Sequence, residues 1–183
     1  MAKSGLPRFL DRPTDVEPCL ILVGMAGAGK TTIGRAVARA LAWAHVDTDH
    51  IMEAWWGQDL ESLRQRLGLE DFLRAEEQTI LYLNIQRAVI STGGSVVYSE
   101  PAMRRLRAMG TIVHIHAGLD TIRSRIEAAP NRGLAMPPGY SLDDVYYERQ
   151  ELYLRYEQFR VSTDGVAEAD AVQTILDLWL KKI

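Results

Sequence analysis

Short apolar runs and helical periodicities alternate along the chain. "CLILV" (19–23), "AVIS" (88–91), "TIVHIH" (111–116) and "FRVST" (159–163) are compact and β-branched-rich, the signature of buried strands. "AHVDTD" (44–49) reads as a further strand that ends in acids. Between them the spacing changes to that of helices. Residues 31–43 put Ile33, Ala36, Val37, Ala40 and Leu41 on one helical face. Residues 50–87 are mostly helical, with Gly57 and Gly68 as breaks. Ser99 with Pro101 opens a helix that Gly110 closes. Residues 118–128 form another, "SLDD" (141–144) caps a helix running to about 158, and 166–182 form the last. "APNRGLAMPPGY" (129–140), rich in Pro and Gly, reads as a mobile loop.

Five strands alternating with helices predict an α/β domain, a mostly parallel sheet covered on both faces. Such sheets bind ligands at the carboxyl ends of their strands. "GMAGAGKTT" (24–32), the acids at 47 and 49, and "TGGS" (92–95) all follow strands, so they are expected to meet at one edge.

Gly24, Gly29, Lys30 and Thr31 fit G-x-x-x-x-G-K-[ST] between a strand and a helix. Glycines let several backbone N–H groups face one point, and the helix dipole adds positive potential there. Lys30 supplies a charge to β- and γ-phosphates, and the Thr31 hydroxyl can ligate Mg²⁺. The ATP-binding set is Gly27, Ala28, Gly29, Lys30, Thr31 and Thr32. The blander reading, a glycine turn joining strand to helix, does not need the lysine or the threonine. The motif specifies a nucleoside triphosphate. No N-K-x-D string asks for guanine, and the chain is short, so a small-molecule kinase leads.

Asp47 and Asp49, two residues apart on a strand, would face the same side. Asp47 can hold Mg²⁺ through water, and Asp49 can take the proton of an attacking hydroxyl. Alternatively Asp49 simply caps the helix that follows; beside a phosphate loop, the catalytic role is favoured. Arginines neutralise charge in phosphoryl transfer. Arg132 in the loop can close over the γ-phosphate, Arg149 can pair with an anionic acceptor, and Arg125 can stack on adenine. Arg104, Arg105 and Arg107 read as solvated charges. His114 and His116 share a strand face, where a packed or rim position outweighs a metal pair lacking a third ligand. Trp55 and Trp56 read as core or surface residues rather than a base-stacking platform.

Composition narrows the partners. The 183 residues suit a single domain, 18–183, behind a flexible arm, 1–17. A net charge of −3 offers no general basic surface to nucleic acid. No apolar run approaches the roughly 18 residues that span a bilayer, and the N-terminal stretch has no apolar core of a secretion signal. The single Cys19, in the first strand, reads as an inert core residue in a reducing compartment. A cytoplasmic protein is expected, a monomer or weak dimer acting on ATP and a small hydroxylated acid, with neither nucleic acid nor membrane as partner.

The ordered set "GMAGAGKTTIGRAVARAL", "DTD", Gly57–Phe72–Glu76, "TGGSV", a lid arginine, "ERQELY" and "VSTDG" resembles the shikimate kinase family over about 18–180. The resemblance implies a three-layer P-loop NTPase fold, nucleoside-monophosphate-kinase-like, with five parallel strands flanked by helices and a mobile lid over about 129–140. It implies Mg²⁺-ATP as donor and shikimate as acceptor. Residues 50–87 would be the acceptor-binding segment. It assigns Lys30, Asp49 and Arg132 to catalysis, Arg125 to adenine, and Asp49, Gly93, Gly94 and Arg149 to the acceptor, with Leu73 and Glu76 lining the site. Glu76 matches a glutamate that orients the site's arginines.

The chain departs from the family pattern on the acceptor side. It reads "FLRAE" where the family reads F-R-x-x-E, so Leu73 stands at an arginine that grips a carboxylate. Arg74 is turned about 100° around the helix and is not a simple substitute. Thr92 replaces the first glycine of a triplet, adding bulk and a hydroxyl where the acceptor is held. Gly133 and Glu151 replace prolines. Two alternatives stay open: the same chemistry on homoserine or a sugar acid, with Glu151 or Glu76 meeting an ammonium, and a non-catalytic nucleotide-binding module.

Overall fold

The computed structural model describes residues 17–128 and 134–181. Five parallel strands form one sheet: β1 (Cys19–Val23), β2 (Ala44–Asp47), β3 (Ala88–Ser91), β4 (Gly110–His116) and β5 (Phe159–Ser162), in the order β2-β3-β1-β4-β5. β1 is central because every one of its side chains is buried, as an unbroken aliphatic run requires. It pairs with β3 on one side, Leu20 beside Val89, and with β4 on the other, Ile21 beside Ile112.

The helices are α1 (Lys30–Leu41), α2 (Thr48–Trp56), α3 (Leu60–Tyr82), α4 (Glu100–Met109), α5 (Leu119–Glu127), α6 (Leu142–Tyr156) and α7 (Glu168–Leu180). Their starts follow local chemistry. The Ser99 side chain accepts from Ala102 N–H, with Pro101 in the first turn of α4. Ser141 and Asp144 form a reciprocal capping box at α6. One core, continuous through both faces of the sheet, includes Leu20, Ile90, Ile112, Val37 and Trp179. A smaller one, Met52, Leu63, Phe72 and Ala135, holds α2, α3 and the segment before α6 together. Among the described residues no helix is long and apolar enough to cross a membrane.

The structure corrects several sequence expectations. β2 stops at Asp47, and Thr48 and Asp49 already belong to α2. The segment after α3 is not helical from Leu83. Gly110 follows α4 but is the first residue of β4, with extended backbone (φ 170°). α6 stops at Tyr156, two residues early. α3 is interrupted at Gly68, as the break predicted (φ 73°, ψ 175°). Cys19 is fully buried. Trp55 and Trp56 are exposed; Trp55 stacks on Tyr82, and Arg66 lies over Trp56. The proposed arm, residues 1–17, lies outside the described residues except for Glu17, whose N–H donates to Gln86 Oε1 (3.1 Å). Of the predicted loop 129–140, residues 129–133 lie outside the described residues, and Ala135 is buried.

Candidate active site

The carboxyl ends of the strands gather the expected segments. Gly24 follows β1 directly (φ 146°), and a Cβ there would lie 2.3 Å from the Ile115 carbonyl oxygen of β4, so no larger residue fits. The loop then delivers α1, which begins at Lys30 with no capping side chain and no acid in its first turn. The first-turn N–H groups are thus not claimed by a capping carboxylate, which suits them to a phosphate. Lys30 Nζ donates to the Gly24 and Met25 carbonyls (2.7 and 2.8 Å), inside the loop it is to serve. Thr31 Oγ1 donates to Asp47 Oδ2 (2.7 Å), bringing two hard oxygen donors together.

A cavity of about 440 Å³ opens beside this loop. Gly27, Gly29, Thr32 and Arg125 line it, together with Thr163 and Val166. Arg125 Nη1 donates to the Gly27 carbonyl (2.9 Å) and to Thr163 Oγ1 (3.2 Å). Thr163 in turn donates to the Ala28 carbonyl (3.1 Å). Arg125 therefore pins the loop to the end of β5 while bordering the cavity. The sequence reading left out Thr163 and Val166. Their position just past a strand's carboxyl end, in "VSTDGV", was the available signal.

The two acids divide their tasks differently from the strand reading. Asp47, not Asp49, caps α2: its Oδ1 accepts from Asp49 N–H (3.1 Å). Asp49 is thereby released from capping. It faces Gly93, where a Cβ would lie 2.8 Å from Asp49 Oδ1 and 2.0 Å from Glu76 Oε1. Two carboxyls from α2 and α3 thus converge over one glycine. Burial, then the Asp47 charge, raises Asp49 to about 6, against a lowering by Lys30. Burial, then the Asp49 charge, raises Glu76 to about 7. Glu76 hydrogen-bonds Ser95, yet its Oε1 has no partner although the residue is only 2% exposed.

Arg149 reaches the same place from α6 and is 1% exposed. Its Nε donates to the Tyr98 hydroxyl (3.3 Å), its Nη2 donates to the Ala135 carbonyl, and its guanidinium lies over the Tyr98 ring. Its Nη1 faces Gly94, where a Cβ would lie 3.3 Å from it and 3.1 Å from Ala26 N. Gly94 is therefore the point where phosphate loop and arginine meet. Tyr153 donates to the Gly94 carbonyl (2.6 Å) and steadies the turn. Ser95, Tyr98 and Tyr153 were absent from the sequence reading, because only tertiary packing brings them here.

The departures resolve unevenly. Arg74 is 69% exposed and pairs outward with Glu70 (2.5 Å) and Asp71 (3.3 Å), so it does not replace an arginine at 73. Leu73 packs with the small core of Met52 and Phe72. Thr92 is 2% exposed, and its hydroxyl, expected on the acceptor side, donates to the Leu22 carbonyl (3.0 Å) of β1. Glu151 is exposed. His114 is fully buried against Glu157 (2.7 Å) and Tyr153, and burial lowers it to about 4. Among the described residues no cluster suits a metal through three His, Cys, Asp or Glu side chains. Arg132 lies outside the described residues.

Comparison with known proteins points one way. The model of the family described as shikimate kinase matches residues 26–179. A shikimate kinase of Neisseria gonorrhoeae is 34% identical over 161 residues, covering 86% of this chain and 93% of its own. One of Bordetella avium is 32% identical over 160 residues, covering 86% and 77%. The solved shikimate kinase of Acinetobacter baumannii, in complex with shikimate, superposes with a TM-score of 0.83 at 28% identity, covering 91% and 94%.

Proposed function

The chain belongs to the shikimate kinase family, and from that premise we propose that it transfers the γ-phosphoryl group of ATP to a hydroxyl of a small hydroxylated carboxylic acid. Shikimate, the acceptor its relatives are named for, is the first to assay. The observation that carries this reading is the meeting at Gly93–Gly94. There the phosphate loop, a buried carboxylate and a buried arginine face one another. A binding module needs the first of these and neither of the others.

The acceptor hydroxyl oxygen bonds to the γ-phosphorus as the bond to the β–γ bridging oxygen breaks, and ADP leaves. The hydroxyl proton passes to Asp49. A carboxyl near 6 is ionised at neutral pH yet more basic than an exposed one. Lys30 and the α1 N-terminus carry the charge on the phosphates. Arg149 takes the acceptor's carboxylate. Mg²⁺ fits the Thr31 hydroxyl and Asp47 carboxylate, both hard oxygens; when bound it neutralises phosphate charge. The nucleoside occupies the cavity beside Arg125 and Thr163. The lid role of 129–140, with Arg132 at the transferring phosphate, rests on the family resemblance. The same reading keeps the protein in the cytoplasm as a monomer or weak dimer, which suits its single buried cysteine.

The test is coupled ADP release from Mg²⁺-ATP with shikimate, homoserine, gluconate and no acceptor. Acceptor-dependent turnover is expected. ADP release that no acceptor stimulates would overturn the kinase reading.

A further inference from the structure

The acceptor side of the site has an unbalanced charge. A cavity of about 200 Å³ is lined by Leu73, Arg74, Glu76, Glu77, Ser95 and Tyr98, among others. Its one arginine, Arg74, turns outward to Glu70 and Asp71. Glu77 accepts from the Ser99 hydroxyl (2.5 Å). What α3 offers to a ligand is therefore the apolar Leu73 and the partnerless Glu76 Oε1. A buried acceptor atom without a donor is costly unless a ligand supplies one. α3 itself turns no cation toward a carboxylate approaching from this side; the positive charges that act on Glu76, Arg149 and Lys30, come from α6 and α1.

Glu76 lies over Gly93 and Arg149 over Gly94. Adjacent Cα atoms are about 3.8 Å apart, so the anionic and cationic groups stand side by side. A carboxylate and an ammonium on one carbon present the matching pair. Asp49, over Gly93 from the other helix, is then left for a hydroxyl further along the same molecule.

We propose that the acceptor is a hydroxylated α-amino acid, its carboxylate on Arg149, its ammonium on Glu76 Oε1 and its hydroxyl on Asp49. This rests on the ATP-dependent kinase reading and narrows its acceptor. Leu73 is the specificity switch: an arginine there would neutralise Glu76 and claim a carboxylate, whereas leucine leaves Glu76 to the substrate.

The experiment compares L-homoserine, 4-hydroxybutyrate (the same chain without the ammonium) and shikimate, with Mg²⁺-ATP at pH 8. Phosphate esters are detected by ³¹P NMR and rates by ADP release. L-Homoserine should exceed the other two in kcat/KM by roughly tenfold or more, the scale of one charge-assisted hydrogen bond. Glu76→Gln should lower kcat/KM for L-homoserine about tenfold more than it lowers that for 4-hydroxybutyrate, the excess falling mainly on KM. Leu73→Arg should shift preference toward shikimate by about tenfold, and it carries the test if Glu76→Gln does not fold. Wild-type preference for shikimate or 4-hydroxybutyrate, or equal losses for all acceptors in Glu76→Gln, would overturn the proposal while leaving the kinase reading intact. No turnover on any acceptor would overturn both.

Discussion

Gly93→Ala isolates the convergence of Asp49 and Glu76. The new methyl would stand 2.0 Å from Glu76 Oε1 and 2.8 Å from Asp49 Oδ1, where ordinary contact begins at 3.4 Å. Glu76 must retreat by well over an ångström, and it sits on α3 beside Phe72 and Ile80, both buried. Overpacking of this kind costs about 1–3 kcal/mol. For a chain of this size that lowers Tm by roughly 2–12 °C. The functional loss should be larger. Displacing a reacting group by an ångström costs on the order of 10²-fold in rate, and here both carboxyls move. The loss should fall on the acceptor, because the cavity by Arg125 and Thr163, proposed for the nucleoside, is not lined by Gly93. Thermal melts with steady-state kinetics, varying acceptor and ATP separately, decide it. A variant with unchanged Tm and an unchanged kcat/KM for its acceptor would refute the close packing of both carboxyls over Gly93.

Asp49→Asn should lower kcat by about 10²–10⁴-fold, the range of general-base catalysis, while ATP affinity by calorimetry stays near wild type. Unimpaired turnover would remove Asp49 from the proton path. Arg125→Ala removes one of two ties between the phosphate loop and the end of β5, leaving the bond from Thr163 to the Ala28 carbonyl; it should raise the KM for ATP roughly tenfold with the acceptor KM unchanged, and the reverse split would misplace the nucleoside. Glu76 carries a pH signature. Its folded value is raised from 4.5 to about 7, so the folded state binds the proton more tightly than the unfolded one. Its contribution is fully present below pH 4.5 and is lost as pH rises through 7. Glu76→Gln should therefore gain stability relative to wild type between those limits, on the order of 3 kcal/mol by pH 8. A difference between the two proteins that is flat with pH in chemical denaturation would contradict the buried, raised carboxyl.

The order of elements and the phosphate-loop motif are legible from local pattern alone. Apolar runs such as "CLILV" are too short and too uniformly apolar for a half-exposed helix. The spacing of Gly24, Gly29, Lys30 and Thr31 is local, so its geometry travels with the motif. Caps at Ser99 and Ser141 were legible for the same reason. What lay across long separations was not. The boundary between β2 and α2 fell before Asp49 because the Asp47 side chain captured the Asp49 N–H, a contest that alternation alone does not decide. Thr92 looked like an intrusion into the site until the pairing of β3 with β1 gave its hydroxyl the Leu22 carbonyl. Thr163 joined the nucleotide side only because β5 lies next to β4. Glu76 was visible as a residue but not as an orphan. Its isolation depends on Leu73 facing the small core, Arg74 facing solvent, and α3 meeting the β3 turn at Gly93. Local chemistry wrote the phosphate-loop motif into consecutive residues; the proposed acceptor site depends on three helices and a glycine turn being packed together.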